Sequence, residues 1–145
     1  MTETETTTAT APTAAIRDLW EADTPVTGDY ARDCFQLARE ALAHVGFHDF
    51  EETPFEDAIA CVDGDVPVTV AVLPLPSEMW ETTLMDLQAM VDDDVRAKGA
   101  ALCVARALGT DGPLPERLRF DVMSVCVNLD AGRVRVHHVR GAWQS

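Results

Sequence analysis

Polar and apolar positions alternate along the chain with two different periods. Over residues 28–45, GDYARDCFQLAREALAHV, the residues Ala31, Cys34, Phe35, Ala38, Leu42 and Val45 recur at three- and four-residue steps, the spacing of one buried helical stripe. Thr27 is placed to cap that helix and Gly46 to stop it. The period then falls to two. FHDFEET at 47–53 alternates as a strand and Pro54 ends it. Asp57–Val62 reads as a further strand, Asp63–Gly64 as its turn, and Val66–Leu73 as the return strand. On that return strand Thr69, Ala71 and Leu73 share one face and Val68, Val70 and Val72 the other. Residues 77–108 are helical in pattern with an interruption. Ser77 starts a short first segment, and Asp92–Asp94 cap and charge the N-terminus of a second. LRFDVMSVCV at 118–127, a turn at NLDAG and a return over Val134–Val139 form a last hairpin.

The order helix, strand, hairpin, helix, hairpin predicts an α/β (α+β) fold: a mixed central sheet flanked by helices. The first 26 residues carry no such pattern. Thr, Ala and Glu dominate them, which predicts a disordered tail over 1–26 and one domain over 27–145.

Charge narrows the functional classes. The chain has 25 acidic and 11 basic residues, a net charge of −14. That field repels a phosphate backbone and argues against direct nucleic-acid binding. No apolar run approaches the roughly 18–20 residues that span a bilayer, so no membrane segment is expected. The N-terminus lacks the basic and apolar regions of a signal peptide. Cys34, Cys61, Cys103 and Cys126 form no CxxC pair and sit in apolar patterns. They read as buried thiols of a reducing cytoplasm rather than as a disulfide framework or zinc site.

Three stretches carry a family resemblance: GDYARDCFQLAREALAHVGF, EDAIACVDGDVPVTVAV, and RFDVMSVCV with VRVHHVRGAW. Together they resemble the YraN family, small bacterial proteins with a restriction-endonuclease-like fold, over Gly28 to Trp143. The family has a Gly-Glu opening helix, a Gly-Glu-Ile-Asp strand, an Asp-Gly turn, a Val-Phe-Val-Glu-Val-Lys strand and a closing Arg-Phe-Asp-Val strand. The resemblance implies metal-dependent phosphodiester cleavage. That chemistry needs carboxylates to hold a divalent ion, Mg2+ or Mn2+, and a lysine near the reacting phosphate. Carried over position by position, the family's strand Asp falls on Ala58, its Glu on Ala71 and its Lys on Leu73. All three polar groups are hydrocarbon in this chain. Asp29 and Glu56 stand at family acids, and Asp57 is one residue away from the lost Asp, which points it to the opposite face. The resemblance thus implies an inactive nuclease fold that acts with no cofactor, through a protein partner or as a homodimer.

Two other readings compete with it. An enzyme with a relocated site would gather Asp29, Glu56, Asp57 and Asp121 around Mg2+ or Mn2+. A non-cleaving nucleic-acid binder would use Arg117, Arg119, Arg133, Arg135 and Arg140, the one local excess of arginine. The remaining polar residues have simpler accounts. Asp92–Asp94 suit a helix N-terminus, and His44 suits the end of the first helix. Consecutive His137 and His138 on a strand face opposite sides, one inward and one outward. Asp121 of RFDV reads as structural, paired with Arg119 or Arg117. Trp80 and Trp143 have no basic run around them and read as packing or interface residues.

Overall fold

The computed structural model describes residues 13–18, 27–53, 57–109 and 112–145. In chain order the elements are β1 (Thr13–Asp18), α1 (Tyr30–His44), β2 (His48–Glu51), β3 (Ala58–Asp63) and β4 (Val66–Leu75). A 3-10 turn (Ser77–Met79), α2 (Leu84–Met90), α3 (Asp93–Leu108), β5 (Arg119–Asn128) and β6 (Arg133–Gln144) complete it. The strands form one six-stranded sheet in the order β1-β6-β5-β4-β3-β2. Only β4 and β5 pair in parallel; the other neighbours are antiparallel. A parallel pair cannot be joined by a tight turn, and the connection here runs through the 3-10 turn, α2 and α3.

Helix α1 covers one face of the sheet. Cys34, Leu37, Ala38 and Leu42 pack with Ile59, Cys61, Val68, Val70, Met123 and Val125 in the larger core cluster. Ala31 and Val45 of the expected stripe are exposed instead. Val45 lies past the end of the helix at His44, and the buried stripe runs through Cys34, Leu37, Ala38 and Leu42. Its cap is Asp29, whose carboxylate accepts from the Arg32 amide at 3.3 Å. Thr27 does not cap it: the Thr27 amide and hydroxyl donate to Asp33 at 2.9 and 2.7 Å, so Asp33 ties down the incoming chain and is buried. At the other end the Gly46 amide donates to the Ala43 carbonyl and the Phe47 amide to the Leu42 carbonyl, a Schellman stop. The Tyr30 hydroxyl donates to the Leu75 carbonyl and accepts from the Val127 amide, which pins the start of α1 to the ends of β4 and β5.

Helices α2 and α3 cover the opposite face. Leu87 and Val91, from α2 and its C-terminal end, and Cys103 of α3 pack with Phe120, Val122, Val139 and Ala142. A capping box at Thr83 and Asp86 starts α2. Asp92 caps α3 by accepting from the Val95 amide at 3.0 Å, as the acidic run predicts. Ser77 begins only the 3-10 turn. Gly99 of α3 lies directly on the Phe120 ring; a Cβ there would sit 2.1 Å from a ring carbon. The close helix–sheet approach therefore requires glycine at 99.

Three expectations are corrected. Thr13–Asp18, expected within a disordered tail, pairs in register with β6 from Thr13↔His138 to Asp18↔Arg133. Low sequence complexity did not prevent pairing, because a strand at a sheet edge is held by its backbone rather than by a patterned core face. The β3–β4 turn lies one residue later than expected: Asp63 pairs with Val66, leaving Gly64–Asp65 as the loop. His137 and His138 do face opposite sides, but both are buried, since helices cover both faces of the sheet.

Candidate functional site

The hairpin β3–β4 puts Ala58 directly opposite Ala71. Side chains of paired residues project from the same face, and Leu73 follows two positions on. Ala71 packs against the cluster under α2 and α3, which fixes that face. So Ala58, Ala71 and Leu73 come together as one patch. Ala58 is buried, Ala71 half-buried, and Leu73 is 37% exposed. The patch holds only hydrocarbon and has no oxygen to bind a cation. Among the described residues no group of three or more His, Cys, Asp or Glu is arranged to hold a metal ion.

The neighbouring acids do other work. Asp29 caps α1. Asp57 is exposed, and its backbone carbonyl accepts from the Val72 amide at 2.7 Å. Glu56 lies outside the described residues. Asp121 is on the α1 side of the sheet, because Phe120 and Val122 on either side of it pack toward α3. It therefore lies on the face opposite the alanine patch and cannot supply a ligand there.

Asp121 is the centre of a buried ionic network. Its carboxylate accepts from Arg119 Nε at 2.9 Å and Nη2 at 3.0 Å, from His138 Nε2 at 2.8 Å and from the Gly141 amide at 2.9 Å. Arg119 Nη1 also pairs with Asp63 at 2.9 Å. Gly141 reaches the carboxylate because β6 bulges there: Phe120 pairs with Trp143 but Val122 with Val139. The bulge places Gly141 at φ +65°, a conformation that favours glycine. Burial alone would raise the Asp121 pKa, but the His138 and Arg119 bonds and charges hold it below the ordinary carboxylate value. Burial likewise works against the Arg119 charge, and Asp121 and Asp63 raise its pKa in spite of it. The RFDV motif is thus a structural clasp, with Arg119 as the partner.

The arginines expected to form a nucleic-acid surface separate. Arg119 is 7% exposed and committed to two carboxylates, so it is not placed to contact a nucleic acid. Arg117 pairs with Asp65 at 3.1 Å. Arg140 lies over the Phe47 ring, 5.3 Å from its centre, on the α1 side. Arg135 lies over Trp80 at 4.8 Å and donates to the Trp80 carbonyl, on the opposite side. Arg133 is exposed two residues before it. The five do not make one contiguous basic surface, because strand alternation and the Gly141 bulge send them to both faces.

A feature the sequence did not announce surrounds the alanine patch. Thr69 Oγ1, Ser124 Oγ and His137 Nδ1 are buried with no hydrogen-bond partner. All three project from the patch's face: Thr69 precedes Ala71 by two, Ser124 pairs with Leu73, and His137 pairs with Ser124. His137 Nε2 lies 3.1 Å from the Thr82 carbonyl, so Nε2 carries the proton and Nδ1 is an acceptor. Burial is the largest influence on His137 and keeps its pKa below the usual imidazole value. An orphaned buried polar atom costs roughly 1–3 kcal/mol. Three on one face make it the least satisfied region among the described residues. Only alternation along β5 could have pointed to Ser124, and nothing local marks it as orphaned.

Compared with known proteins, the chain matches no protein-family model, no curated protein and no solved structure.

Proposed function

We propose that the chain is a YraN-like, restriction-endonuclease-fold domain without nuclease activity, acting as a non-catalytic accessory to DNA processing through a protein partner. The element order supports the fold reading: a helix, a three-strand antiparallel run, a helical crossover and a strand parallel to the third. One observation carries the functional reading. Ala58, Ala71 and Leu73, the positions where the resemblance implies Asp, Glu and Lys, converge on one sheet face, and all three side chains are hydrocarbon. A site of that geometry cannot organise a divalent ion or a water for attack on phosphate. It offers an apolar spot, with Leu73 reachable from solvent, to a partner's side chain. The net charge of −14 steers a basic protein surface toward this chain and a nucleic acid away from it. Among the described residues no helix is long and apolar enough to cross a membrane.

The reading is tested by incubating the purified chain with branched and single-stranded DNA in Mg2+ and in Mn2+. The expected result is no cleavage above a metal-free control, together with retention of a basic partner that is weakened by Leu73→Arg, which removes the apolar contact and adds a repelling charge. Metal-dependent cleavage by the unmodified chain would refute it.

A further inference from the structure

A pocket of about 140 Å3 opens between β4, the second half of α3 and the segment entering β5. It is larger than the roughly 10–15 Å3 that one water requires and smaller than the roughly 300 Å3 of a pocket for a drug-sized ligand. Its size therefore suits a molecule of a few heavy atoms. Pro67, Ala107 and Leu118 give it an apolar wall. At its buried side stands Thr69, 3% exposed, whose hydroxyl has the Cys103 thiol beside it and no partner that meets hydrogen-bond geometry. Cys103 also lines the pocket, but its thiol already donates to the Arg119 carbonyl at 3.3 Å. Toward solvent the pocket carries both signs of charge. Arg106 is positioned by bonds to the Val68 and Cys61 carbonyls at 2.7 and 3.3 Å. Its Nη2 lies 3.9 Å from the carboxylate of Glu51, which is exposed and also lines the pocket.

A lone anion here meets Glu51 and a lone cation meets Arg106. A small molecule bearing both charges is complementary to both. We propose that this pocket binds a small aliphatic α-amino acid as its zwitterion. Its carboxylate faces Arg106 and the Thr69 hydroxyl, its ammonium faces Glu51, and its alkyl chain lies on Pro67, Ala107 and Leu118. The site is independent of the inactive-nuclease reading, and either can fail without the other.

The test is a titration of the full, isotope-labelled chain with L-valine, followed by amide shifts in NMR. Isovalerate, which lacks the ammonium, and isobutylamine, which lacks the carboxylate, are run beside it. The expected result is a saturable shift at Thr69, Cys103, Arg106 and Leu118 with valine, and binding at least about tenfold weaker for each analogue, since unpaired polar groups then remain in the site. Glu51→Gln, on the surface, and Thr69→Val, nearly equal in shape, each weaken valine at least about tenfold with the fold intact. Equal binding of valine and isovalerate would overturn the assignment. So would the absence of any saturable shift at the pocket, above all if Thr69→Val then raised the melting temperature: the hydroxyl would be an unfilled cost rather than a ligand group.

Discussion

Asp121→Asn removes the central charge of the buried clasp while keeping its shape. The carboxylate accepts four hydrogen bonds, two from Arg119, one from His138 and one from the Gly141 amide. An asparagine offers one oxygen, and its NH2 must face a group that is itself a donor. Asp63, whose side chain is 31% exposed, is then the carboxylate left to Arg119. Breaking a buried ion pair by removing one partner costs roughly 3–5 kcal/mol. A domain of this kind holds about 5–15 kcal/mol in total, so the variant should lose roughly a fifth of its stability or more. The assay is urea unfolding at pH 7, comparing midpoints at unchanged slope. The pH dependence supplies a second readout. The folded Asp121 pKa lies below its unfolded value of about 3.9. Between those values the unfolded chain binds more protons, so stability from this group rises with pH. It is fully present above the unfolded pKa and is lost as pH falls through the folded one. Asp121→Asn should therefore flatten the acid limb as well as lower the plateau at neutral pH. A loss below about 1 kcal/mol with an unchanged acid limb would show that the clasp is not an ionic one.

Three further outcomes follow from particular contacts. Gly99→Ala forces a methyl into the Phe120 ring and should cost about 1–3 kcal/mol of unfolding free energy, with α3 displaced in hydrogen-exchange protection. Ser124→Ala deletes an orphaned hydroxyl and should leave the melting temperature unchanged or raised; a fall of several degrees would mean the hydroxyl has a partner. Arg135→Ala removes a cation held over Trp80 and should cost roughly 0.5–2 kcal/mol while shifting the tryptophan emission.

Periodicity carried most of the architecture. The valines of β4 alternate from Val66 to Val72, and the strand begins where that alternation places it, while β5 is buried on both faces and its apolar residues mark the strand by density rather than by strict alternation. The acidic run at 92–94 marks the start of α3 because carboxylates there serve both cap and dipole. Capping at α1 was less legible: Thr27, Asp29 and Asp33 are all competent acceptors, and the choice depends on how the preceding chain enters. Strand β1 was hidden because Thr13–Asp18 has no pattern of its own and is specified by the free edge of β6. At the site, the hairpin spacing was enough to bring Ala58, Ala71 and Leu73 together on paper. The spread of the arginines was not visible, since the Gly141 bulge that turns the end of β6 leaves only a glycine in the sequence. The orphaned Thr69, Ser124 and His137 atoms were equally hidden, because satisfaction of a buried polar group is a property of the packed neighbours.

The most direct test of the central claim is calorimetric titration of Mn2+ into two proteins, the unmodified chain and a variant carrying Ala58→Asp, Ala71→Glu and Leu73→Lys. No binding heat is expected for the first and stoichiometric heat for the second, because the backbone already aligns the three positions and only the polar groups are missing. Stoichiometric heat in the unmodified chain, lost in Glu56→Ala, would contradict that claim and place a working metal site elsewhere in the molecule.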